Sequence, residues 1–228
     1  MNSIFLDTLN NKLTSRPPVW FMRQAGRILP SYQNLKKQYS FTEMMQSPEL
    51  AAKVTLLPID DLGVDAAILF SDILIVPEAL GMGLEFTDKG PLFDNPLTKY
   101  ESPASHLVKD TKILEHVYEN IEKVIETRPK NIPLIGFCGG PLTTFCFMFR
   151  GHVRDVTFHD AIKFLYSNPQ ESMKILEALT EVSIEYVRNQ AKHGIECFQL
   201  FETYSGLIPE QMYIEKILPL SKKILNEA

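Results

Sequence analysis

Two arginines four residues apart are the side chains of this sequence with the clearest chemical potential. Arg23 and Arg27 follow an apolar segment at residues 18–22, and Gly26 and Pro30 mark a loop around them. A guanidinium group binds a carboxylate or phosphate through two parallel hydrogen bonds, and an arginine placed beyond a buried strand needs a partner. Either the pair binds an anionic ligand, or both side chains bond to backbone carbonyls inside the protein.

Four motifs carry a resemblance to one known family. They read MRQAGR at residues 22–27, ILFSDILIVPEALGM at 68–82, IGFCGGPLT at 135–143 and QLFETYSG at 199–206. In this order and at this length, they resemble the signatures of the uroporphyrinogen decarboxylases, which trim the acetate side chains of a cyclic tetrapyrrole. The resemblance runs from about residue 18 to the last residue, and four long motifs are far more specific than one short pattern.

The resemblance implies a substrate site that draws on several of the motifs. The expected substrate-binding positions are Arg23, Gln24, Ala25, Gly26, Arg27, Asp72, Phe147 and Thr203. Catalysis is expected from Asp72, Arg23 and Arg27. The arginines would hold substrate carboxylates, and ionised Asp72 would accept hydrogen bonds from pyrrole N–H groups and stabilise a protonated pyrrole.

The reaction implied by the resemblance converts uroporphyrinogen III to coproporphyrinogen III in heme biosynthesis. No cofactor and no metal is expected, because the protonated pyrrole ring is itself the electron sink for loss of carbon dioxide. This enzyme would be a carboxy-lyase.

The sequence departs from the family pattern in three places. Phe147 stands where the family usually has a tyrosine, so one hydroxyl near the substrate is lost. Thr203 replaces the family's serine and keeps the hydroxyl. The chain stops at Ala228, whereas family members continue through further strands and a histidine motif, so the sequence predicts a barrel that is apparently truncated.

Two other functions remain open at the level of sequence. One is a corrinoid-dependent methyltransferase of the same superfamily, which would use zinc bound in the C-terminal part of the barrel. The other is a degenerate chain that binds a porphyrinogen without turning it over. Asp72 also has an alternative role, as the cap of a helix expected near Pro77. Glu78 is interpreted as a helix residue only, and the histidines as surface residues.

Helices and buried strands alternate along the sequence. Strands are expected at residues 18–22, 65–70, 132–137 and 197–201, and helices at residues 6–13, 47–57, 112–127, 169–192, from 141 onward and from 208 to the end. Strands separated by helices indicate parallel pairing with right-handed crossovers. Together with the resemblance, this predicts an α/β protein of the (β/α)8 TIM-barrel type, truncated before the C-terminal strands. It would form a single domain over residues 1–228, with functional residues at the carboxyl ends of its strands.

Composition narrows the possible partners. A net charge of −5 argues against general nucleic-acid binding, and no apolar run approaches the ~20 residues of a membrane span. The N-terminus lacks the pattern of a signal peptide, and three cysteines without metal-type spacing fit a reducing compartment. We therefore expect a cytoplasmic enzyme with a small-molecule substrate, and the resemblance implies a homodimer.

Overall fold

A computed structural model describes residues 3–22, 28–87, 90–150 and 157–228 of the chain. Within these ranges the strands are β1 (Ala67–Ile68), β2 (Leu84–Thr87), β3 (Gly90–Phe93), β4 (Leu134–Gly139) and β5 (Cys197–Phe201). The helices are α1 (Ile4–Leu9), α2 (Pro30–Lys36), α3 (Phe41–Gln46), α4 (Pro48–Leu62), α5 (Ile75–Glu78), α6 (Glu115–Thr127), α7 (Pro141–Phe149), α8 (His159–Ser167), α9 (Pro169–Lys192), α10 (Glu210–Met212) and α11 (Leu218–Leu225). Short 3₁₀ turns lie at Leu97–Lys99, Pro103–His106, Thr111–Leu114 and Ser205–Leu207, and a π-helical segment, Tyr213–Ile217, joins α10 to α11.

The predicted parallel pairing is confirmed for the central strands, so the protein belongs to the mixed α/β class. The sheet has the order β1-β4-β5, and β1 pairs with β4 in parallel. Two backbone hydrogen bonds, from Glu196 N to Leu134 O and from Gly140 N to Phe201 O, show that β5 runs in the same direction as β4. Residues 64–70 and 132–141 are all buried, as expected for strands covered on both faces.

The described residues divide into two compact units. The first draws on Met1–Ser71, Glu115–Phe137 and Asn189–Gln199, and the second on Asp72–Leu114, Cys138–Arg188 and Leu200–Ala228. In the first unit, α4 packs against α6, α3 and β1, and its apolar interior includes Val54 and Ile121, which are fully buried. The second unit contains the antiparallel hairpin β2–β3 and an aromatic core in which the rings of Phe149 and Phe164 lie 4.7 Å apart.

Several predicted elements have the expected bounds. Helix α9 and strand β5 begin and end at the predicted residues, and Ser47 caps the start of α4 through a 3.4 Å hydrogen bond from Leu50 N. Helix α4 continues five residues past the predicted end at Leu57, although Pro58 lies inside it. Burial of α4 in the first unit outweighs the cost of the proline. The helix ends at Leu62, and Gly63 caps it with a φ of 66°, a conformation that suits glycine.

The predicted strand at residues 18–22 is wrong. This segment is not a strand, and Phe21 and Met22 are 54% and 61% exposed rather than buried. Pro17 and Pro18 have no backbone N–H to donate to a ladder, and the next residue bonds to Asp65 instead. The first helix also ends earlier than predicted, at Leu9, because Asn11 adopts a left-handed conformation with φ 57°.

Candidate active site

Three chain segments of the second unit approach one another closely at Gly139, the last residue of β4, and at Gly140, which follows it. A Cβ atom on Gly139 would lie 3.1 Å from the carbonyl oxygen of Ile73, which follows Asp72. A Cβ atom on Gly140 would lie 2.5 Å from a carboxylate oxygen of Glu202, which follows β5. Only glycine leaves room for both neighbours. The segments after β1 and β5 therefore both approach the end of β4, one at Ile73 and the other at Glu202.

Asp72 lies four residues beyond the end of β1 and is partly buried. Its Oδ1 atom accepts a 2.8 Å hydrogen bond from the backbone N–H of Leu74. No salt bridge involves Asp72 within the described ranges. Burial raises the pKa of Asp72 to about 6, and the single backbone hydrogen bond opposes that shift only in part. The carboxylate is thus ionised above pH 6 but held in an environment that favours a cationic partner.

The hydrogen bond to Leu74 resembles a helix cap but does not complete one. Residue 74 is itself the N-cap of α5, and its side chain makes no capping hydrogen bond. Asp72 instead stabilises the turn that leads into α5, with one oxygen engaged. The capping interpretation of Asp72 therefore accounts for one of its two oxygens.

Glu78 is a second acidic group of the same segment. It closes α5 and is partly buried. Burial, together with the charge of Asp72, raises the pKa of Glu78 to about 7. Near neutral pH, the ionisation of Asp72 therefore disfavours the ionisation of Glu78. Such coupled acids occur in functional sites and in structural clusters of acids alike.

Glu202 is a further candidate site residue, to which the sequence analysis assigned no role. Its carboxylate accepts hydrogen bonds from Leu142 N at 3.0 Å, from Thr143 N at 2.7 Å and from the Thr143 hydroxyl at 2.5 Å. These amides belong to the first turn of α7, where a carboxylate also interacts favourably with the helix dipole. Burial raises the pKa of Glu202, and these hydrogen bonds oppose the rise.

A signal for Glu202 was present in the sequence. The N-cap of α7 is Gly140, which has no side chain, and Pro141 occupies the first helical position. A buried helix start of this kind needs an acceptor from elsewhere in the chain. Sequence alone does not tell which distant acid supplies it.

The loop after β5 carries Thr203 and Tyr204. Thr203 is exposed, and the backbone N–H of Tyr204 donates a 3.2 Å hydrogen bond to the Thr143 hydroxyl oxygen. Thr143 is fully buried and held by Glu202. The position of this loop is consequently fixed by the start of α7.

Phe147 is the only residue of α7 that is not buried. Its ring contacts Phe158 at a centroid distance of 5.3 Å and Tyr204 at 5.9 Å, both edge to face. The Arg150 guanidinium lies 4.9 Å from the centroid of the Phe147 ring, a cation–π arrangement. Position 147 therefore forms part of an aromatic cluster at the accessible side of α7.

The arginine motif lies outside the described residues. This applies to Arg23, Gln24, Ala25, Gly26 and Arg27 alike. The cysteines are free thiols, and burial raises the pKa of Cys138 and of Cys146 to about 12 and that of Cys197 to about 11. Such thiols are poor nucleophiles at neutral pH.

Comparison with solved structures defines the class of fold. A methyltransferase from Methanosarcina mazei matches with a TM-score of 0.72 over 98% of this chain and 66% of that one, at 18% sequence identity. The likeness shows a shared α/β architecture. Among the described residues, no helix is both long and apolar enough to span a membrane.

Comparison of sequences defines the family. The model of uroporphyrinogen decarboxylase (URO-D) matches residues 1–228, so the chain belongs to that family. Relatives named uroporphyrinogen decarboxylase include those of Geotalea daltonii, 37% identical over 227 residues, and Protochlamydia amoebophila, 41% identical over 228 residues, each match covering 99% of this chain. The relative from Christiangramia forsetii is 38% identical over 216 residues, or 94% of this chain. The chain spans 66%, 62% and 63% of the length of these three relatives, respectively.

Proposed function

We propose that the whole protein is a uroporphyrinogen decarboxylase that converts uroporphyrinogen III to coproporphyrinogen III without a cofactor. Support comes from the family match over all 228 residues and from relatives that bear this name. The observation that carries the proposal is Asp72, an accessible acid beyond β1 with one backbone partner and no cation in the described ranges.

Asp72 is proposed to act as an electrostatic and hydrogen-bonding catalyst. Its ionised carboxylate would accept hydrogen bonds from the pyrrole N–H groups that face it. Protonation of a pyrrole carbon then creates a cation, which the negative charge stabilises in partly dry surroundings. The bond between the acetate methylene and its carboxylate breaks, carbon dioxide leaves, and the electron pair neutralises the ring. A proton added at the methylene and a proton lost from the ring complete the methyl group.

The other site residues are proposed to position the substrate. Arg23 and Arg27 would hold carboxylates through paired hydrogen bonds, with the intervening backbone of Gln24, Ala25 and Gly26 in contact with the ring. The Thr203 hydroxyl would bond a substrate carboxylate, and Phe147 would form an apolar wall. Binding energy from several carboxylates would orient the reacting acetate beside Asp72.

The proposal extends to the architecture and the setting of the whole protein. We infer a single-domain barrel of the (β/α)8 type whose strand ends form one cleft. A homodimer in the cytoplasm, with uroporphyrinogen as its small-molecule partner, fits the family resemblance. The mixed α/β fold and the placement of Asp72, Gly140 and Glu202 after the strands β1, β4 and β5 support the barrel.

The direct test is turnover by the full-length protein. It would be incubated with uroporphyrinogen III under anaerobic conditions, and the oxidised products would be separated by their number of carboxyl groups. We expect stepwise loss of carboxyl groups down to the four of coproporphyrin. Absence of all intermediates, with the protein folded, would refute decarboxylation and favour binding without turnover.

Substitution of Asp72 tests the mechanism within that assay. Asp72→Asn keeps the shape and removes the charge, so we expect turnover to fall about 100-fold or more with little change in thermal stability. The matched control is Asp160→Asn in α8, an exposed acid, which should leave turnover unchanged. Near-normal turnover by Asp72→Asn would refute the electrostatic role.

A further inference from the structure

Tyr204 is a candidate ligand-binding side chain to which the family resemblance assigned no role. It follows Thr203 in the loop after β5 and is half-buried. Its ring contacts Phe158 at a centroid distance of 4.5 Å and Phe147 at 5.9 Å. Phe158 is 3% exposed, so the cluster is anchored in the interior while Phe147 and Tyr204 remain partly accessible.

The backbone of Tyr204 is held on both sides. Its N–H donates to the Thr143 hydroxyl oxygen, and its carbonyl oxygen accepts a 3.0 Å hydrogen bond from Leu207 N. The Thr143 hydroxyl in turn donates to Glu202, whose carboxylate accepts hydrogen bonds from the first turn of α7. A loop whose backbone is already held in this way loses little further backbone entropy when it binds a ligand.

The hydroxyl of Tyr204 is the polar atom of an otherwise apolar ring cluster. Phe147 and Phe158 present only carbon. Within the described ranges, the hydrogen bonds of Tyr204 are those of its backbone N–H and carbonyl oxygen. Half-buried tyrosines combine an apolar ring with one polar end and normally find a partner for it. A phenol donates strongly to an ionised carboxylate.

We propose that Tyr204 contacts the substrate and donates a hydrogen bond from its hydroxyl to one of the substrate's carboxylates. This inference rests on the proposed function for the identity of the ligand, a tetrapyrrole with several carboxylates. Because the rings of Phe147 and Tyr204 touch, Tyr204 supplies at this wall the hydroxyl that Phe147 lacks. A ligand that rests on the Phe147 ring is within reach of the neighbouring phenol.

The test is a rescue experiment in the full-length protein. Uroporphyrin III, a stable octacarboxylate, serves as the binding probe, with affinity measured by fluorescence quenching, and kcat and KM are measured with uroporphyrinogen III. We expect Tyr204→Phe to weaken binding and reduce kcat/KM about 10- to 100-fold, the loss typical of one hydrogen bond to a charge. Adding Phe147→Tyr to that variant should restore both quantities to within about threefold of the wild type.

Two controls separate a contact with the ligand from damage to the fold. Tyr166→Phe, in α8 and 55% exposed, should change neither binding nor kinetics. Thermal unfolding of each variant should match that of the wild type, because Tyr204→Phe keeps the ring contacts.

The outcomes distinguish this inference from the proposed function. Wild-type binding and turnover by Tyr204→Phe would overturn the role of Tyr204 while decarboxylation stands. If the folded double variant does not regain binding and kcat/KM, the inference that a hydroxyl at position 147 can replace the one at position 204 is overturned. If the wild type binds uroporphyrin III without turnover and Tyr204→Phe weakens that binding, Tyr204 stands and the decarboxylase proposal fails. Absence of uroporphyrin binding by the wild type would overturn both.

Discussion

Asp65 and Asp72 precede and follow β1 in the sequence, yet their surroundings differ in kind. Asp65 accepts 2.7 Å hydrogen bonds from both terminal nitrogens of Arg16 and another from Val19 N, and the side-chain hydrogen bonds to Arg16 hold its pKa below the ordinary value. Within the described ranges, Asp72 accepts one backbone hydrogen bond, and burial raises its pKa to about 6. The first acid is fully partnered by the protein, and the second keeps capacity for a ligand.

Glu202 falls between these two cases. It is as well hydrogen-bonded as Asp65, but its partners are neutral amides and a hydroxyl rather than a cation. Its pKa is accordingly raised by burial and not lowered. In these acids, burial raises the pKa and hydrogen bonds lower it, and the pKa falls below its ordinary value only at Asp65, where the bonds come from a guanidinium.

The largest expected change in the free energy of unfolding comes from a substitution that crowds the Glu202 carboxylate. Gly140→Ala would place a methyl group 2.5 Å from its carboxylate, which three hydrogen bonds hold in place. Overpacking and loss of these bonds should lower the free energy of unfolding by about 3 kcal/mol, measured by urea denaturation. The control Gly206→Ala meets no heavy atom within 4 Å, so its stability should be unchanged. Equal stability of the two variants would contradict the tight approach.

The second prediction uses the raised pKa of Asp72. If catalysis needs the ionised carboxylate, kcat/KM should fall about tenfold for each pH unit below a midpoint near pH 6. The sign follows because protonation removes the charge that stabilises the pyrrole cation. The pH–rate profile of the full-length enzyme between pH 5 and 8 measures this limb, and Asp72→Asn should lack it. If kcat/KM of the wild type does not change between pH 5 and pH 8, the proposed difference between a catalytic Asp72 and a structural Asp65 is contradicted.

The third prediction concerns the partnered acid. Asp65→Asn should lower the free energy of unfolding by about 1 kcal/mol, since asparagine has one acceptor oxygen: one of the paired hydrogen bonds to Arg16 is lost, and the other loses its charge assistance. The pKa of Asp65 is lowered in the folded protein, so its contribution is complete above the ordinary value of 3.8. The loss measured by urea denaturation should therefore be the same at pH 5 and pH 8. A loss of turnover per folded molecule would contradict a purely structural role.

The smallest effect is expected at Glu78, and it has the opposite sign. Its pKa is raised to about 7 from an ordinary value of 4.5, so the ionised form costs stability as the pH rises through this range. Glu78→Gln should match the wild type at pH 4, below both pKa values, and exceed its free energy of unfolding by about 0.5 kcal/mol at pH 8, a value reduced for the partial exposure of the group. The exposed Glu181 in α9 provides the control, and Glu181→Gln should show no pH-dependent difference. A gain of the same size at pH 4 would indicate a cause other than ionisation.

The sequence predicted best what depends on local patterns. Helix α9, strand β5 and the start of α7 were predicted correctly because periodicity and proline positions identify them. The strand predicted at residues 18–22 was wrong because the prediction relied on the apolar composition of the segment. Pro17 and Pro18 at its start have no backbone N–H to donate to a neighbouring strand. Glu202 was missed because its partners lie 59 and 60 residues away in the chain. The positions of Asp72, Phe147 and Thr203 could be read from motifs, but their environments required tertiary structure.

One buried side chain of the first unit bears on how the chain is assembled during synthesis. Gln190 is fully buried, accepts from Phe137 N at 3.1 Å and donates to Phe137 O at 3.0 Å, so its amide acts like one more residue of a neighbouring strand. These two residues are 53 positions apart. On the ribosome, the backbone groups of Phe137 in β4 can therefore find these partners only after the chain has been extended through residue 190. Until the end of α9 emerges, the nascent polypeptide lacks the Gln190 amide for these two backbone groups.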